Sequence, residues 1–260
     1  MIKKHLVFHF YVPKEYKENE AIRIHLQCLR MYSSVFDSAV FAICFEEKTD
    51  ELIDEVEKDI LSLGFKNDVR IVVVENTLMT ESVTFKRFVL DEIDRTDGMV
   101  FFGHTKGVTN KETYKSRWED IKKWIVALYF YTLEFAEEAE KKMFYPSPWQ
   151  ITFFGPLMTT YDECKTFNYP GTFFWLNPQL LYNDIKRGIV EMPKMANRSF
   201  TEDLPFIYKT GDFCHRVTSH NGIWTHPCGY YNVDFDIVID FFGDKELFNE
   251  RYNKINDSIK

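Results

Sequence analysis

The segment His104-Thr105-Lys106-Gly107 carries residue types suited to chemistry in this chain of 260 residues. It directly follows an apolar run, so we expect it to leave the end of a buried strand. One residue separates His104 from Lys106, and an extended chain would point both side chains the same way. A lysine ammonium serves as a point charge for phosphate, and Gly107 permits a tight turn. The spacing predicts a phosphate-binding loop, and a surface turn with a solvated lysine is the equal alternative.

Residues near the ends of two other predicted strands are candidates for contacts with the same ligand. Tyr11 stands at the exit of the first strand, where its ring could stack on a base, although a core or rim tyrosine is the commoner outcome. Asn76 follows the third strand and precedes a helix that carries Lys86. The free amides at the start of that helix could face an anion. The alternative for Lys86 is a solvated side chain on the helix surface.

Two adjacent acids in Thr201-Glu202-Asp203 are candidates for acid–base chemistry. A general base must be ionised at the working pH and must lie within hydrogen-bonding reach of the proton that it removes. The same three residues also fit the cap and first turn of a helix, where the helix dipole favours acids. Both interpretations carry equal weight on the residues alone.

Metal-binding residue types occur near the C-terminus without a compact pattern. Asp234-Phe235-Asp236 lies in an apolar alternation over Val233–Ile239, which is typical of the solvent face of a strand rather than of a metal site. Three histidines, His215, His220 and His226, do not show a zinc-binding spacing. Of these, His226 beside Trp224 and Pro227 is the one expected to face a site.

The elements that must position these residues alternate regularly through the first half of the chain. In such an alternation the strands form a parallel sheet with right-handed crossovers, and ligands bind beyond the carboxyl ends of the strands. Apolar runs and helical periodicity predict strands at His5–Val12, Ala39–Phe45, Val69–Val74 and Met99–Phe102, and helices at Glu18–Tyr32, Thr49–Leu63 and Glu81–Ile93.

The pattern changes in the second half. A long helix is predicted over Ser116–Lys142, opened by the capping box Ser116-Arg117-Trp118-Glu119. Beyond it we expect strands at Ile151–Tyr161 and Gly171–Leu176, helices at Gln179–Arg187 and Asp244–Ile259, and a short helix from Glu202. The predicted class is α/β, with a mostly parallel sheet flanked by helices and a mixed C-terminal half. No linker, repeat or low-complexity stretch divides the chain, so one domain over residues 1–260 is expected.

Composition narrows the range of partners and compartments. A net charge of −8 argues against a general nucleic-acid binder, which needs a basic patch for phosphate contacts. The five cysteines are odd in number and widely spaced, which speaks against a disulfide framework and fits a reducing cytosol. Aromatic residues make up 17 % of the chain. A phenylalanine-rich core explains most of them, with a few rings left for stacking on a sugar or a base.

Membrane insertion is not expected. The apolar start of the chain is interrupted by His5 and His9 and has no small-residue cleavage site, so it is interpreted as a strand rather than a signal peptide. The longest apolar run elsewhere, Trp124 to Leu133, is too short to span a bilayer. We therefore expect a cytoplasmic protein without a transmembrane segment, and peripheral membrane association stays open.

The chain resembles a family of bacterial and viral glycosyltransferases that includes the rhamnan-synthesis-type enzymes of surface polysaccharide assembly. In that family a strand runs into a His-(Thr/Ser)-Lys-Gly segment, followed by a Trp-Arg-like pair and a long helix. The chain has His104-Thr105-Lys106-Gly107 and then Arg117-Trp118, with that pair reversed. The family's Gly-(Thr/Asn)-(Phe/Met)-Phe-Trp strand is similar to Gly171-Thr172-Phe173-Phe174-Trp175. The resemblance extends from the first strand to the short helix after Glu202.

The resemblance implies a GT-A-like, Rossmann-like fold that transfers a sugar from a nucleotide-sugar donor to a hydroxyl of a glycan or lipid-linked acceptor. Residues 1–113 would bind the donor and residues 114–260 would handle the acceptor. Asp203 would be the general base of an inverting reaction, with Glu202 in support. Gly171 and Thr172 would let the backbone approach the sugar, and Trp175 would form a packing or stacking wall. The other donor contacts would come from Tyr11, Asn76, Lys86, His104 and Lys106.

One departure from the family pattern leaves the cofactor open. GT-A enzymes generally end the fourth strand in an Asp-x-Asp that holds a divalent metal against the donor diphosphate, whereas this chain has His104-Thr105-Lys106. A need for Mn²⁺ or Mg²⁺ is therefore undecided, with His226 as a candidate ligand. The same departure favours the alternative of a non-catalytic nucleotide-sugar or glycan-binding module. A nucleotide-sugar hydrolase is a further alternative.

Overall fold

Four parallel strands form one half of the central sheet. The computed structural model describes residues 2–77, 81–109, 115–145, 150–156, 159–160, 167–168, 172–191, 201, 204–208, 217–220 and 234–259. Strand β1 (Lys4–Val12) pairs with β2 (Ser38–Phe45) and with β4 (Met99–His104), and β3 (Val69–Val73) pairs with β2. All four predicted strands are confirmed. β1 and β4 are buried along most of their length, as their near-continuous apolar runs predict, whereas β3 at the edge of the sheet is partly exposed.

Three helices connect these strands. They are α1 (Glu20–Tyr32), α2 (Asp50–Leu61) and α3 (Glu81–Phe88), the last followed by a 3₁₀ turn over Leu90–Glu92. The side chain of Asn19 accepts a hydrogen bond from the Ile22 amide and so caps α1. Thr49 caps α2 through the Leu52 amide in the same way. The predicted alternation of strands and helices is therefore confirmed through residue 104.

The second half of the chain adds short strands to the same sheet. Strand β8 (Phe174–Leu176) runs antiparallel to β4, β5 (Phe153–Gly155) runs antiparallel to β8, and β9 (Val217–Ser219) runs parallel to β5. The seven-stranded order is β3-β2-β1-β4-β8-β5-β9. A separate pair is formed by β6 (Thr159–Thr160) and β7 (Phe167–Asn168). A mostly parallel sheet with a mixed C-terminal half is thus confirmed.

The predicted long helix is interrupted. Helix α4 (Trp118–Tyr129) passes through a π-helical turn at Phe130–Glu134 before α5 (Ala136–Phe144). Inside that turn the Thr132 hydroxyl donates to the Leu128 carbonyl, and the Thr132 carbonyl accepts a bond from the Trp175 indole at 2.9 Å. Backbone groups that bond to side chains in this way commonly break the regular helical ladder. The predicted capping box is wrong, since Ser116 lies in the 3₁₀ turn Lys115–Arg117 ahead of the helix.

The C-terminal region is helical where a strand pattern was expected. The later helices are α6 (Pro178–Lys186), α7 (Phe235–Phe242) and α8 (Lys245–Ser258), with a 3₁₀ turn at Leu204–Tyr208. Asp234 caps α7 by accepting from the Asp236 amide at 2.9 Å, and Asp236 pairs with Lys123 at 2.8 Å. The two acids are therefore the start of a helix and not the solvent face of a strand. The apolar residues fit both periods over so short a segment, and burial of one helical face decides between them.

Buried side chains form two clusters, one on each face of the sheet. The first joins Phe8, Phe10 and Phe41 to α1, α2, α4, α7 and α8. The second joins Val7 and Phe102 to α3 and α6. Most aromatic rings of the described residues are buried in these clusters, as the composition predicted. Within the described parts of the chain, the helices are too short or too polar to cross a bilayer.

Candidate functional site

The order of the parallel strands in the sheet changes direction between β1 and β4. The chain proceeds from β1 outward to β2 and β3 and then crosses to β4 on the other side of β1. Ligands of doubly wound sheets bind at such a reversal, outside the carboxyl ends of the strands. β1 ends at Val12 and β4 ends at His104. The candidate site therefore lies where these two strands end.

Thr105 fixes the segment after β4 against the exit of β1. Its amide donates to the His9 carbonyl at 3.1 Å, and its hydroxyl oxygen accepts from the Tyr11 amide at 2.8 Å. Thr105 is 5 % exposed, so these bonds are shielded from water. The structure thereby brings together three predicted donor contacts, His104, Lys106 and Tyr11. The threonine between the two predicted contacts is the residue that holds them in place.

A histidine that sequence reasoning missed supports the same loop from below. The His25 side chain is fully buried, with Nδ1 2.7 Å from the Tyr129 hydroxyl. Its Nε2 lies 2.8 Å from both the amide nitrogen and the carbonyl oxygen of Lys106. Burial lowers the pKa of His25 to about 4, so the imidazole is neutral at physiological pH. The sequence feature that could have identified His25 is its position three residues after Ile22, on the apolar face of α1.

The ammonium of Lys106 lies over an aromatic ring. Its Nζ is 5.3 Å from the centroid of the Trp124 ring on α4. Such a contact restrains a flexible side chain without neutralising its charge. Gly107 follows with φ +81°, a conformation that disfavours residues with a Cβ, and a Cβ there would lie 3.0 Å from Ile125 Cδ1. The predicted tight turn is confirmed, and the loop presents a positioned cation at the carboxyl edge.

A buried polar cluster lies beneath this edge. His9 Nδ1 is 2.8 Å from the Thr84 hydroxyl, and His9 Nε2 is 3.3 Å from Cys44 Sγ. Burial, together with nearby His104, lowers the pKa of His9 to about 4, and Glu81 opposes the shift. Burial raises the pKa of the Cys44 thiol to about 12, with a further contribution from Glu81. At neutral pH this cluster holds a neutral imidazole and a protonated thiol, which suits positioning rather than nucleophilic attack.

Tyr11 and Asn76 both lie at the carboxyl edge of the sheet. Tyr11 is half-buried; burial raises its pKa to about 12, and the charge and hydrogen bond of Glu46 act in the same direction. The phenol thus stays protonated and directs its hydroxyl toward that carboxylate. Asn76 is exposed, and its Nδ2 donates to the Phe45 carbonyl at the end of β2 at 3.3 Å. It therefore borders the edge two strands away from β4.

Lys86 lies away from this edge. Helix α3 begins at Glu81 beside His9 and Cys44 and runs back along the sheet toward the start of the strands. Lys86 is therefore near the far end of the helix, where its Nζ pairs with Asp91 at 2.7 Å and both side chains are exposed. The direction of α3 separates Lys86 from the other predicted donor contacts, and the solvated alternative describes it better.

Trp175 belongs to the hydrophobic core. Its side chain has no exposed surface, and its Nε1 donates to the Thr132 carbonyl. Its ring packs against Phe36 and Phe101, with centroids 5.7 and 5.4 Å away. It acts as a packing residue on the face covered by the first cluster, and it offers no surface on which a ligand could stack.

Thr172 adopts a backbone conformation that β-branched residues rarely take. Its φ is +55°, and its side chain is fully buried. Among the described residues, its hydroxyl oxygen has no hydrogen-bond partner. The following residue, Phe173, has its ring 6.2 Å from the His104 imidazole. Backbone strain of this kind clusters at functional sites, and here it lies one residue from a ring that contacts the candidate loop.

Four of the predicted site residues lie outside the described part of the chain: Gly171, Glu202, Asp203 and His226. Thr201 and Leu204, on either side of the predicted base, are fully buried. Leu204 packs in the second cluster with α3 and α6. In the ranges that the structure describes, no group of three or more histidine, cysteine or acidic side chains could hold a metal ion.

Comparison of the chain with models of protein families, and with curated protein sequences, finds no match.

Proposed function

We propose that this chain is a GT-A-type glycosyltransferase, which moves a sugar from a nucleotide-sugar donor to a hydroxyl of a glycan or lipid-linked acceptor in surface-glycan synthesis. The observation that carries the proposal is the bridge from Thr105 to Tyr11 at 2.8 Å. It holds a cationic loop at the reversal point of a doubly wound sheet, where such folds bind nucleotides.

Lys106 and its neighbours at the candidate site have proposed roles. The Lys106 ammonium offsets the charge of the donor diphosphate, and its contact with Trp124 reduces the entropy lost when the phosphate binds. The exposed Asn76 and the half-buried Tyr11 border the surface that receives the nucleoside. Thr172 and the neighbouring Gly171 would bring the backbone close to the sugar.

The chemical step requires a base beyond the described residues. We assign this role to Asp203, with Glu202 binding the acceptor. Asp203 removes the proton of the acceptor hydroxyl, whose oxygen bonds to the anomeric carbon as the bond from that carbon to the diphosphate oxygen breaks. The attack occurs opposite to the leaving group, so the anomeric configuration inverts.

The residues at the end of β4 do not suit a divalent cation. Mg²⁺ and Mn²⁺ prefer carboxylate oxygens, and this loop offers an imidazole, a threonine hydroxyl engaged by Tyr11, and an ammonium. A cation beside Lys106 would be repelled by its charge. We therefore assign the neutralisation of the donor diphosphate to Lys106.

Donor binding can be tested by thermal shift against a panel of uridine, guanosine and thymidine diphosphate sugars, with Mn²⁺ or with EDTA. A donor at a hundredfold excess over its Kd should stabilise the protein by about 2.7 kcal/mol. Lys106→Gln should remove that shift. Lys86→Gln, which makes the same change of charge far from the edge, should keep it. A panel that yields no shift at all would refute the assignment of the site.

Turnover separates the enzyme from its alternatives. Asp203→Asn should abolish transfer while the donor still produces its thermal shift. Donor binding without transfer by the unaltered protein, across a set of glycan and lipid-linked acceptors, would favour the non-catalytic module, which the missing Asp-x-Asp after β4 also favours. Release of free sugar at the same rate with and without acceptor would identify a hydrolase.

A further inference from the structure

A cavity opens at the end of the sheet opposite to the candidate functional site. It has a volume of about 450 Å³ and lies between the outer face of β1–β3 and the end of α3. The side chains of Val7, Val40 and Val100 form its apolar part, and His5, Ser38 and Thr96 also line it. Val7 and Val40 are neighbours across the sheet, and Arg70 continues the same row onto β3. The volume is within the range of sites for small molecules.

Two arginines line this cavity without compensating acids. The guanidinium carbons of Arg70 and Arg87 lie 5.6 and 5.0 Å from the centroid of one ring, that of Phe88. Within the described residues, no carboxylate pairs with either group. Both side chains are exposed, and an anion that contacts both guanidinium groups would reduce the repulsion between their charges. The ring holds both side chains in place, so little freedom is lost when an anion binds.

The acids at the rim are already engaged. Glu92 pairs with Arg95 at 3.0 Å, and Asp97 pairs with Lys3 at 2.9 Å. The Lys3 ammonium also holds the pKa of Asp97 below its usual value. The two free guanidinium groups therefore give the cavity a positive character in a chain whose net charge is −8.

We propose that this cavity is a binding site for a small soluble phosphate ester. Arg70 and Arg87 would contact the phosphate, because the guanidinium fork matches phosphate oxygens in pairs. The apolar part of the lining, formed by Val7, Val40 and Val100, would contact the organic part of the ligand. The site is distinct from the carboxyl edge, since Val7, Val40, Arg70 and Val100 lie in the amino-terminal halves of β1 to β4 and Arg87 lies near the end of α3. It does not depend on the proposed glycosyltransferase activity.

The test is isothermal titration with phenyl phosphate and with inorganic pyrophosphate at constant ionic strength. Titrations are made in the Lys106→Gln background, which removes the cation of the candidate donor site. Arg70→Gln and Arg87→Gln should each weaken binding at least tenfold, about the value of one hydrogen bond to a charged group. Arg30→Gln, the same change on the opposite face of the sheet, should leave the affinity unaltered. Urea unfolding of each variant identifies any loss of fold.

Three outcomes would overturn the proposal. They are absence of binding by either phosphate at millimolar concentration, equal affinity in the folded arginine variants and their parent, and binding only to vesicles that contain phosphatidic acid. The last result would identify a flat electrostatic contact with a lipid surface rather than a cavity for a soluble ligand. Failure of the donor panel described above would leave these titrations unchanged, so the two proposals can fail separately.

Discussion

Thr105 joins two strands through its side chain as well as its backbone. Its hydroxyl oxygen accepts from the Tyr11 amide at 2.8 Å and donates to the Tyr11 carbonyl at 3.3 Å, one residue beyond the end of β4. These bonds lie at the reversal point of the sheet. The Thr105 side chain therefore helps to hold the loop with Lys106 beside β1, together with His25.

Replacing Thr105 by valine should lower the free energy of unfolding by about 1–3 kcal/mol, because the Tyr11 amide loses its acceptor in a largely shielded position. Thr105→Ser keeps the hydroxyl and should cost less than half as much. Urea unfolding followed by circular dichroism measures both. If valine and serine gave equal stability, the hydrogen bond would have no part in holding the loop.

Two buried histidines should make stability depend on pH. His9 and His25 each have a pKa near 4 in the folded protein, against 6.5 for the unfolded chain. Between these values the unfolded chain binds more protons, so the free energy of unfolding falls as the pH drops from about 6.5 to about 4. The loss is on the order of 3 kcal/mol for each histidine.

His25→Gln should reduce this dependence by about one proton between pH 6.5 and 4. Chemical denaturation of both proteins at several pH values gives the two slopes, and their difference removes the contribution of the carboxylates. Equal slopes would show that His25 is protonated in the folded protein as easily as in the unfolded one.

At the scale of elements, the turn after β4 depends on glycine for two reasons. Gly107 has φ +81°, and any Cβ there would press on Ile125 of α4. Gly188, after α6, has φ +69° with open space around it. Alanine substitutions at these two glycines therefore distinguish the cost of the left-handed backbone conformation from the cost of the contact with Ile125.

We expect Gly188→Ala to cost about 1 kcal/mol, the penalty of a left-handed conformation. Gly107→Ala should cost more, because the added methyl also displaces Ile125. Adding Ile125→Val to Gly107→Ala should recover part of the difference. Thermal unfolding ranks the stability of the three proteins. If Gly107→Ala were no less stable than Gly188→Ala, α4 would accommodate the added methyl group without cost.

At the scale of the whole molecule, one sheet links the two halves of the chain. β4 from the first half pairs with β8 from the second, and Trp175 of β8 packs against Phe36 and Phe101 of the first half. The first cluster also contains side chains from both halves. Neither half could unfold without exposing apolar surface of the other.

We therefore predict one cooperative unfolding transition for residues 1–260. Far-ultraviolet circular dichroism reports the helices of both halves, and tryptophan fluorescence reports mainly the second half, which holds all five tryptophans. The two signals should give the same midpoint in urea. Separate midpoints would divide the chain near residue 113 into two units.

The sequence by itself determined the alternation of strands and helices through residue 104. Apolar runs bounded by turn residues have few other solutions, and β1–β4 and α1–α3 follow from local pattern. It also located the loop of His104 and Lys106 at a strand end. In the second half, pattern alone was weaker, because strands of three residues carry too few positions to show a period.

Only the tertiary structure decided which of the candidate residues lie together. Because of the direction of α3, Lys86 lies away from the carboxyl edge of the sheet, and Trp175 is a fully buried core residue. The tertiary structure also identified Thr105 and His25 as supports of the loop. Their hydrogen-bond partners are 94 and 81 residues away along the chain. Contacts at such separations depend on how the elements pack, and no local pattern in the sequence encodes them.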